Sequence, residues 1–193
     1  MKRLCIFVIA WLIPVSTLAQ ETQGAPPSRL WIVAGAASGT LRGHCQDCSQ
    51  EFPFRHGPAI VGNAGYRVSP RMDVGADVFW MQWSNESGHI RATAIDAVAQ
   101  FRPWVSKGFF VKGGAGMAFV RNWVQTIGPH PDNQKALAVV FGGGWEFHPQ
   151  SRLGLQLFAM QHVGAIGDLQ TAAGPVADVT GNFWSVGAAI VIR

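Results

Sequence analysis

The stretch Met72-Asp73-Val74-Gly75-Ala76-Asp77-Val78-Phe79-Trp80 decides the fold. Successive side chains of a pleated strand point to opposite sides. Val74, Ala76, Val78 and Trp80 therefore share one face, and Asp73, Gly75 and Asp77 share the other. The same alternation recurs in both directions along the chain. Leu153, Leu155, Leu157 and Ala159 oppose Gly154, Gln156 and His162, while Phe109, Val111, Ala115, Met117 and Phe119 oppose Lys112, Gly114 and Gly116. Thr93, Ile95, Ala97 and Phe101 oppose Asp96, Gln100 and Arg102. Eight segments of this kind are expected, at 28–41, 57–68, 72–83, 89–101, 108–123, 134–147, 152–166 and 181–193. None shows a helical period with caps.

The links between segments fall into two sets. Those at 69–71, 102–107 and 148–151 are tight and carry Pro70, Pro103 and Pro149. Those at 42–56, 84–88, 124–133 and 167–180 are longer and more polar. Short turns at one end and longer loops at the other are the pattern of a bacterial outer-membrane barrel, with the short side in the periplasm. An even strand number also closes the sheet, so that no edge is left for lipid to satisfy.

Alternation alone does not say which face looks inward, since a soluble sandwich or barrel buries the apolar face. Two features favour the inverted, membrane arrangement. Charges of both signs stand in or beside the strands on the polar face among many glycines: Arg67, Asp73, Asp77, Asp96, Arg102, Lys112, Glu146 and Arg152. An eight-stranded lumen is just wide enough for such side chains to fill it and pair. The tryptophans also gather near segment ends. Trp31, Trp104 and Trp145 lie toward the tight turns, and Trp80, Trp83, Trp123 and Trp184 toward the longer loops, as expected of two interfacial girdles. The fold class is accordingly all-β, an eight-stranded antiparallel up-and-down transmembrane β-barrel.

The first residues read as an export signal. Lys2 and Arg3 precede an apolar run to Val15, and Thr17 and Ala19 are the small residues of a cleavage site. The run is too short to span a bilayer as a helix, which takes about 20 residues. Residues 1–19 are assigned as signal peptide, 20–27 as a polar lead-in and 28–193 as the barrel, in the bacterial outer membrane. Of 15 basic and 11 acidic residues, cleavage removes two basic ones, leaving +2 (13 − 11). Charged residues are only 13% of the chain, and no clustered basic face of the kind nucleic acid requires is evident.

At the level of style, the hairpin Gly62-Asn63-Ala64-Gly65-Tyr66-Arg67-Val68-Ser69-Pro70-Arg71-Met72-Asp73 resembles the small outer-membrane β-barrel family of OmpA/OmpX-like proteins. Residues 108–117 and 151–157 continue that style. The resemblance implies fold and location, outer-membrane lipid as surroundings and the barrel-assembly machinery as a partner in biogenesis. It also implies an aromatic residue at the end of the last strand, where this chain has Ile190-Val191-Ile192-Arg193.

Local chemistry is sparse. Cys45 and Cys48 lie in the first long link; an exported location favours a disulfide between them. A metal site with His44 and His56, or free thiols, are the alternatives. A free-thiol assay on unreduced protein is expected to find no reactive cysteine in the mature chain; two would sink the disulfide. Met160-Gln161-His162-Val163-Gly164-Ala165 is similar to the His-x-Ser-Asn-Ala stretch of lipid A deacylase barrels, but Gly164 stands where the serine nucleophile would be. Glycine-rich runs such as Gly142-Gly143-Gly144 lack the Lys-Ser/Thr of a phosphate loop and suit close strand packing. No cofactor, metal site or enzyme activity is expected. A structural or interaction barrel ranks first and a narrow pore or small-ligand conduit second.

Overall fold

A computed structural model describes residues 30–44, 55–85, 88–124, 132–149, 151–171 and 174–193. The signal peptide and lead-in, and the Cys45–Cys48 pair, lie outside the described residues.

The strands are β1 (Leu30–His44), β2 (Arg55–Ser69), β3 (Met72–Asn85), β4 (Gly88–Phe101), β5 (Phe109–Val124), β6 (Asp132–Phe147), β7 (Leu153–Thr171) and β8 (Gly174–Ile192). Each pairs antiparallel with its neighbour in sequence, and β1 pairs with β8 to close the barrel. The start of β1, the end of β8 and the turns after β2, β4 and β6 share one end, called here the terminal end. The links after β1, β3, β5 and β7 share the distal end.

The strand positions match the sequence expectation to within a few residues, except in the last hairpin. There the sequence predicts a loop over 167–180, yet β7 runs to Thr171 and β8 starts at Gly174. Pairing continues through register shifts at Ala165/Gly167 and Gly167/Leu169 and reaches Thr171 opposite Gly174. Shifts of this kind break the period-two pattern, which is why Gly167, Asp168, Gly174 and Pro175 read as loop. The expected difference in link length is correspondingly weaker, since the distal links after β3 and β7 are only 86–87 and 172–173.

The terminal-end turns are fixed by local chemistry. Gly108 has φ 76°, and a Cβ there would stand 1.9 Å from the carbonyl oxygen of Glu146, so only glycine fits. The Glu146 amide in turn donates to the Gly108 carbonyl at 2.8 Å. In the turn before β7, the Ser151 hydroxyl donates to the His148 carbonyl at 2.8 Å.

The outer wall is apolar. Ile60, Val78, Ile95, Leu137, Val139, Leu155 and Ile190 are all exposed. The interior holds buried charges, but it is less polar than the alternation suggests. One apolar cluster, with Phe79, Met81, Val120 and Phe183, fills the distal half of the lumen. A second, with Trp31, Val33, Phe110, Val140, Phe158 and Met160, lies nearer the terminal end. An apolar exterior around buried charges inverts the layout of a soluble protein and matches a membrane-spanning barrel.

Candidate functional site

Inward-facing positions on separate strands converge in the lumen to form a chain of ion pairs. Arg67 on β2 donates from Nε to Oδ1 of Asp73 on β3 at 3.0 Å. Arg102, just past β4, pairs with Asp73 and reaches Oε2 of Glu146 on β6 at 3.3 Å. Arg193, just past β8, pairs with the other oxygen of Glu146. The chain Arg67–Asp73–Arg102–Glu146–Arg193 thus crosses the lumen at the terminal end and ties β2, β3, β4, β6 and β8 together. Asp73, Arg102 and Glu146 are fully buried. Burial pushes the Arg193 guanidinium down from its ordinary value, and its hydrogen bond to Glu146 pushes back.

Further along the lumen, Lys112 on β5 donates to Oδ2 of Asp77 on β3 at 3.0 Å. Asp96 on β4 and His162 on β7 approach to 3.2 Å without the alignment of a hydrogen bond. The His162 ring also packs against Phe79, with centroids 5.2 Å apart. Asn63, Gln100 and Ser185 are buried beside these groups. A cavity lined by Asn63, Asp77, Lys112, Gln156, His162 and Ser185, among others, has a volume of about 20 Å³. That is room for about one water molecule and no substrate. Among the described residues, no three His, Cys, Asp or Glu side chains cluster as metal ligands.

Seven of the eight charged residues expected in the lumen occupy it: Arg67, Asp73, Asp77, Asp96, Arg102, Lys112 and Glu146. The eighth, Arg152, does not. It is exposed in the turn before β7, and its carbonyl accepts a hydrogen bond from the Arg193 amide at 3.0 Å. β7 begins one residue later than expected, which leaves Arg152 in the turn. The place assigned to it is taken by Arg193, which the sequence reading missed. Arg193 shares the inward parity of Ala189 and Val191, and that parity was the available signal.

The tryptophans divide. Trp104, Trp145 and Trp184 are exposed on the outer wall, and Trp80 is half-buried on the same face. Trp104 and Trp145 flank Phe109, with ring centroids 6.2 and 6.5 Å from it. Trp31 and Trp83 depart from the girdle expected of them. Trp31 is 2% exposed inside the barrel. The register sets it opposite Gly65, itself opposite Gly75, and neither glycine fills lumen space. Trp83 has the inward parity of Asp73, Asp77, Phe79 and Met81, packs against the distal apolar cluster and lies under the Arg55 guanidinium at 4.2 Å. Nearness to a strand end sets the depth of a side chain, and only parity sets its face. The side chain of Trp123 lies outside the described residues.

His162 faces the lumen rather than the outer wall, and Gly164 stands where the deacylase stretch has its serine.

Comparison with protein-family models and with curated proteins finds no match. Solved structures do match. Neisserial surface protein A (NspA) aligns over 89% of this chain and 99% of its own, at 16% identity and a TM-score of 0.57. Ail, the attachment invasion locus protein of Yersinia pestis, solved in complex with the heparin analogue sucrose octasulfate, aligns over 86% of this chain and 99% of its own, at 15% identity and a TM-score of 0.53. The chain therefore has the fold of the small eight-stranded outer-membrane β-barrels.

Proposed function

We propose that this chain is an outer-membrane barrel with a structural or interaction role and a lumen that does not conduct. The blocked interior carries the reading. The five-residue ion-pair chain crosses the terminal end, the Lys112–Asp77 and His162–Asp96 contacts follow it among one apolar cluster, and the distal apolar cluster lies beyond them. A pathway for ions would need all three layers to part, and the cavity between them holds about 20 Å³. The exposed apolar wall supports outer-membrane lipid as the surroundings, with the assembly machinery for such barrels acting during biogenesis. Both chain ends would face the periplasm, and the distal links would meet any external partner.

Planar-bilayer recording on the purified, folded chain tests this. The expected record is a flat baseline at potentials of either sign. Reproducible single-channel steps would move the protein to the pore class. A steady leak that disappears when the protein is removed would do the same.

A further inference from the structure

The last strand is flanked by side chains that scarcely distinguish one register from the next. At the closing seam with β1, Gly35 stands opposite Ala189, Ala36 opposite Ala188 and Ala37 opposite Gly187. On the other flank, Leu155 stands opposite Ile190, Leu157 opposite Ala188 and Ala159 opposite Val186. Small residues meet small ones, and aliphatic residues meet aliphatic ones. A slide of β8 by one residue would turn Ile190 and Ile192 into the lumen, so the two faces forbid it. A slide by two keeps every side chain on its own face and exchanges like for like. The hairpin end does not fix the position, because β7–β8 pairing shifts register between Ala165 and Gly167 and again between Gly167 and Leu169.

Arg193 is the marker that a slide cannot exchange. Its amide donates to the Arg152 carbonyl at 3.0 Å, a bond that any residue's backbone could make. Its guanidinium pairs with Glu146 on β6 and reaches the Ser151 carbonyl, in the turn that follows, at 3.5 Å. The side chains of Arg193 and Glu146 are 5% and 0% exposed. Two residues along a strand are about 6.6 Å, enough to part this pair. Toward the distal end, the slide would put the guanidinium where Val191 stands, in the apolar cluster of Trp31, Phe110 and Val140. Toward the terminal end, it would carry the guanidinium past Glu146. Parting a buried pair is strongly destabilising, because the charges it leaves stay out of water.

We propose that Arg193 is the register key of β8: its pairing with Glu146 selects one position of the last strand among the two-residue slides that its neighbours tolerate. Gly187 and Phe183 are the rival markers. A Cβ on Gly187 would stand 2.3 Å from the Ala36 carbonyl oxygen, and Phe183 packs in the distal apolar cluster. The close approach at Gly187 follows the glycine, whose backbone adapts wherever the strand carries it. Phe183 needs only apolar neighbours. Arg193 needs one carboxylate at one height.

Disulfide cross-linking across the seam of the folded full chain tests the key, in a Cys5→Ser/Cys45→Ser/Cys48→Ser background. Ala36, Val186, Ala188 and Ile190 all lie exposed on the outer face. Ala36→Cys/Ala188→Cys reports the native register, in which directly opposed Cα atoms lie about 4.5–5.5 Å apart and a disulfide can form. Ala36→Cys/Val186→Cys and Ala36→Cys/Ile190→Cys report slides of two residues in either direction. In the native register these are diagonal pairs about 7–8 Å apart, too far for a relaxed disulfide. With Arg193 in place, only the native cross-link is expected under mild oxidation. Arg193→Gln is expected to gain at least one slid cross-link and to lose native cross-link in proportion. Arg193→Lys, which keeps the charge, is expected to restore the native cross-link alone. The native cross-link alone in Arg193→Gln would overturn the key and leave the register to Gly187 and Phe183. A lower yield of all cross-links with no slid pair would overturn it too, since that is a loss of stability without a change of register. Should Arg193→Gln give no folded barrel, Arg193→Met, neutral and compatible with the apolar cluster nearby, is read in the same way.

Discussion

Asp73→Asn destabilises the folded barrel by about 3–5 kcal/mol, the range for removing one partner from a buried ion pair. Asp73 is fully buried and serves two cations, Arg67 and Arg102. The chain to which it belongs holds three guanidinium groups and two carboxylates, formally +3 − 2 = +1. Removing the Asp73 charge raises this to +2 and leaves buried Arg102 with only Glu146, which Arg193 also uses. Arg102→Met should cost less, although it deletes two ion pairs. The remaining Arg67–Asp73 and Glu146–Arg193 pairs are balanced, and methionine occupies much of the vacated space. The double variant Asp73→Asn/Arg102→Met returns the formal charge to +1 and should recover part of the Asp73→Asn loss. Equilibrium urea unfolding in lipid-containing micelles, followed by the mobility difference between folded and unfolded forms, measures all three. If Arg102→Met proves the most damaging of the three, the residue matters for its packing and hydrogen bonds more than for charge balance.

The architecture was legible because alternation survives wherever one face meets lipid and the other meets charge. β3 shows this best: Asp73 and Asp77 mark the lumen side without ambiguity, and Val74, Ala76 and Val78 mark the other. Legibility fell where both faces are apolar. Phe79 and Met81, on the same strand, are inside, yet nothing in their chemistry separates them from Val78 and Trp80. Only counting by twos from Asp77 does so, and the same count places Trp83 inside. Trp31 shows a different limit. Its enclosure depends on Gly65 and Gly75, which are distant in sequence and meet only in the closed register. The ion-pair chain lay between these cases. Its members were recognisable as inward charges, but who pairs with whom is set by the turn geometry that places Arg102 and Arg193 beyond the ends of their strands. The residue at the end of β8, where an aromatic was expected from the resemblance, is the cation that completes the pair with Glu146.

Val139→Arg carries the second large effect, and it separates a membrane barrel from a soluble one. Val139 is 55% exposed on β6, close to midway between Trp145 and Lys135, opposite Ala115 on β5 and Val163 on β7. In a soluble barrel, adding a charge at an exposed surface valine would change stability by about 0.5 kcal/mol or less. On a lipid-facing wall the guanidinium must leave water for hydrocarbon, and arginine at the midplane of a membrane barrel costs about 2–4 kcal/mol. Thr93→Arg, on the same wall but toward the distal end, in line with Phe119 and Lys135, should cost no more than about 1 kcal/mol, because the penalty fades toward the interface. The gradient from Val139 to Thr93 is the informative quantity, since a merely bulky substitution has no reason to depend on depth. Urea unfolding from phospholipid vesicles supplies both values. Equal, small losses at the two positions would mean that water, not lipid, covers this wall, and the apolar exterior would then need a protein partner to cover it. A loss at Val139 several times that at Thr93 would fix the bilayer between Trp145 at the terminal end and the level of Thr93 and Lys135 at the distal end.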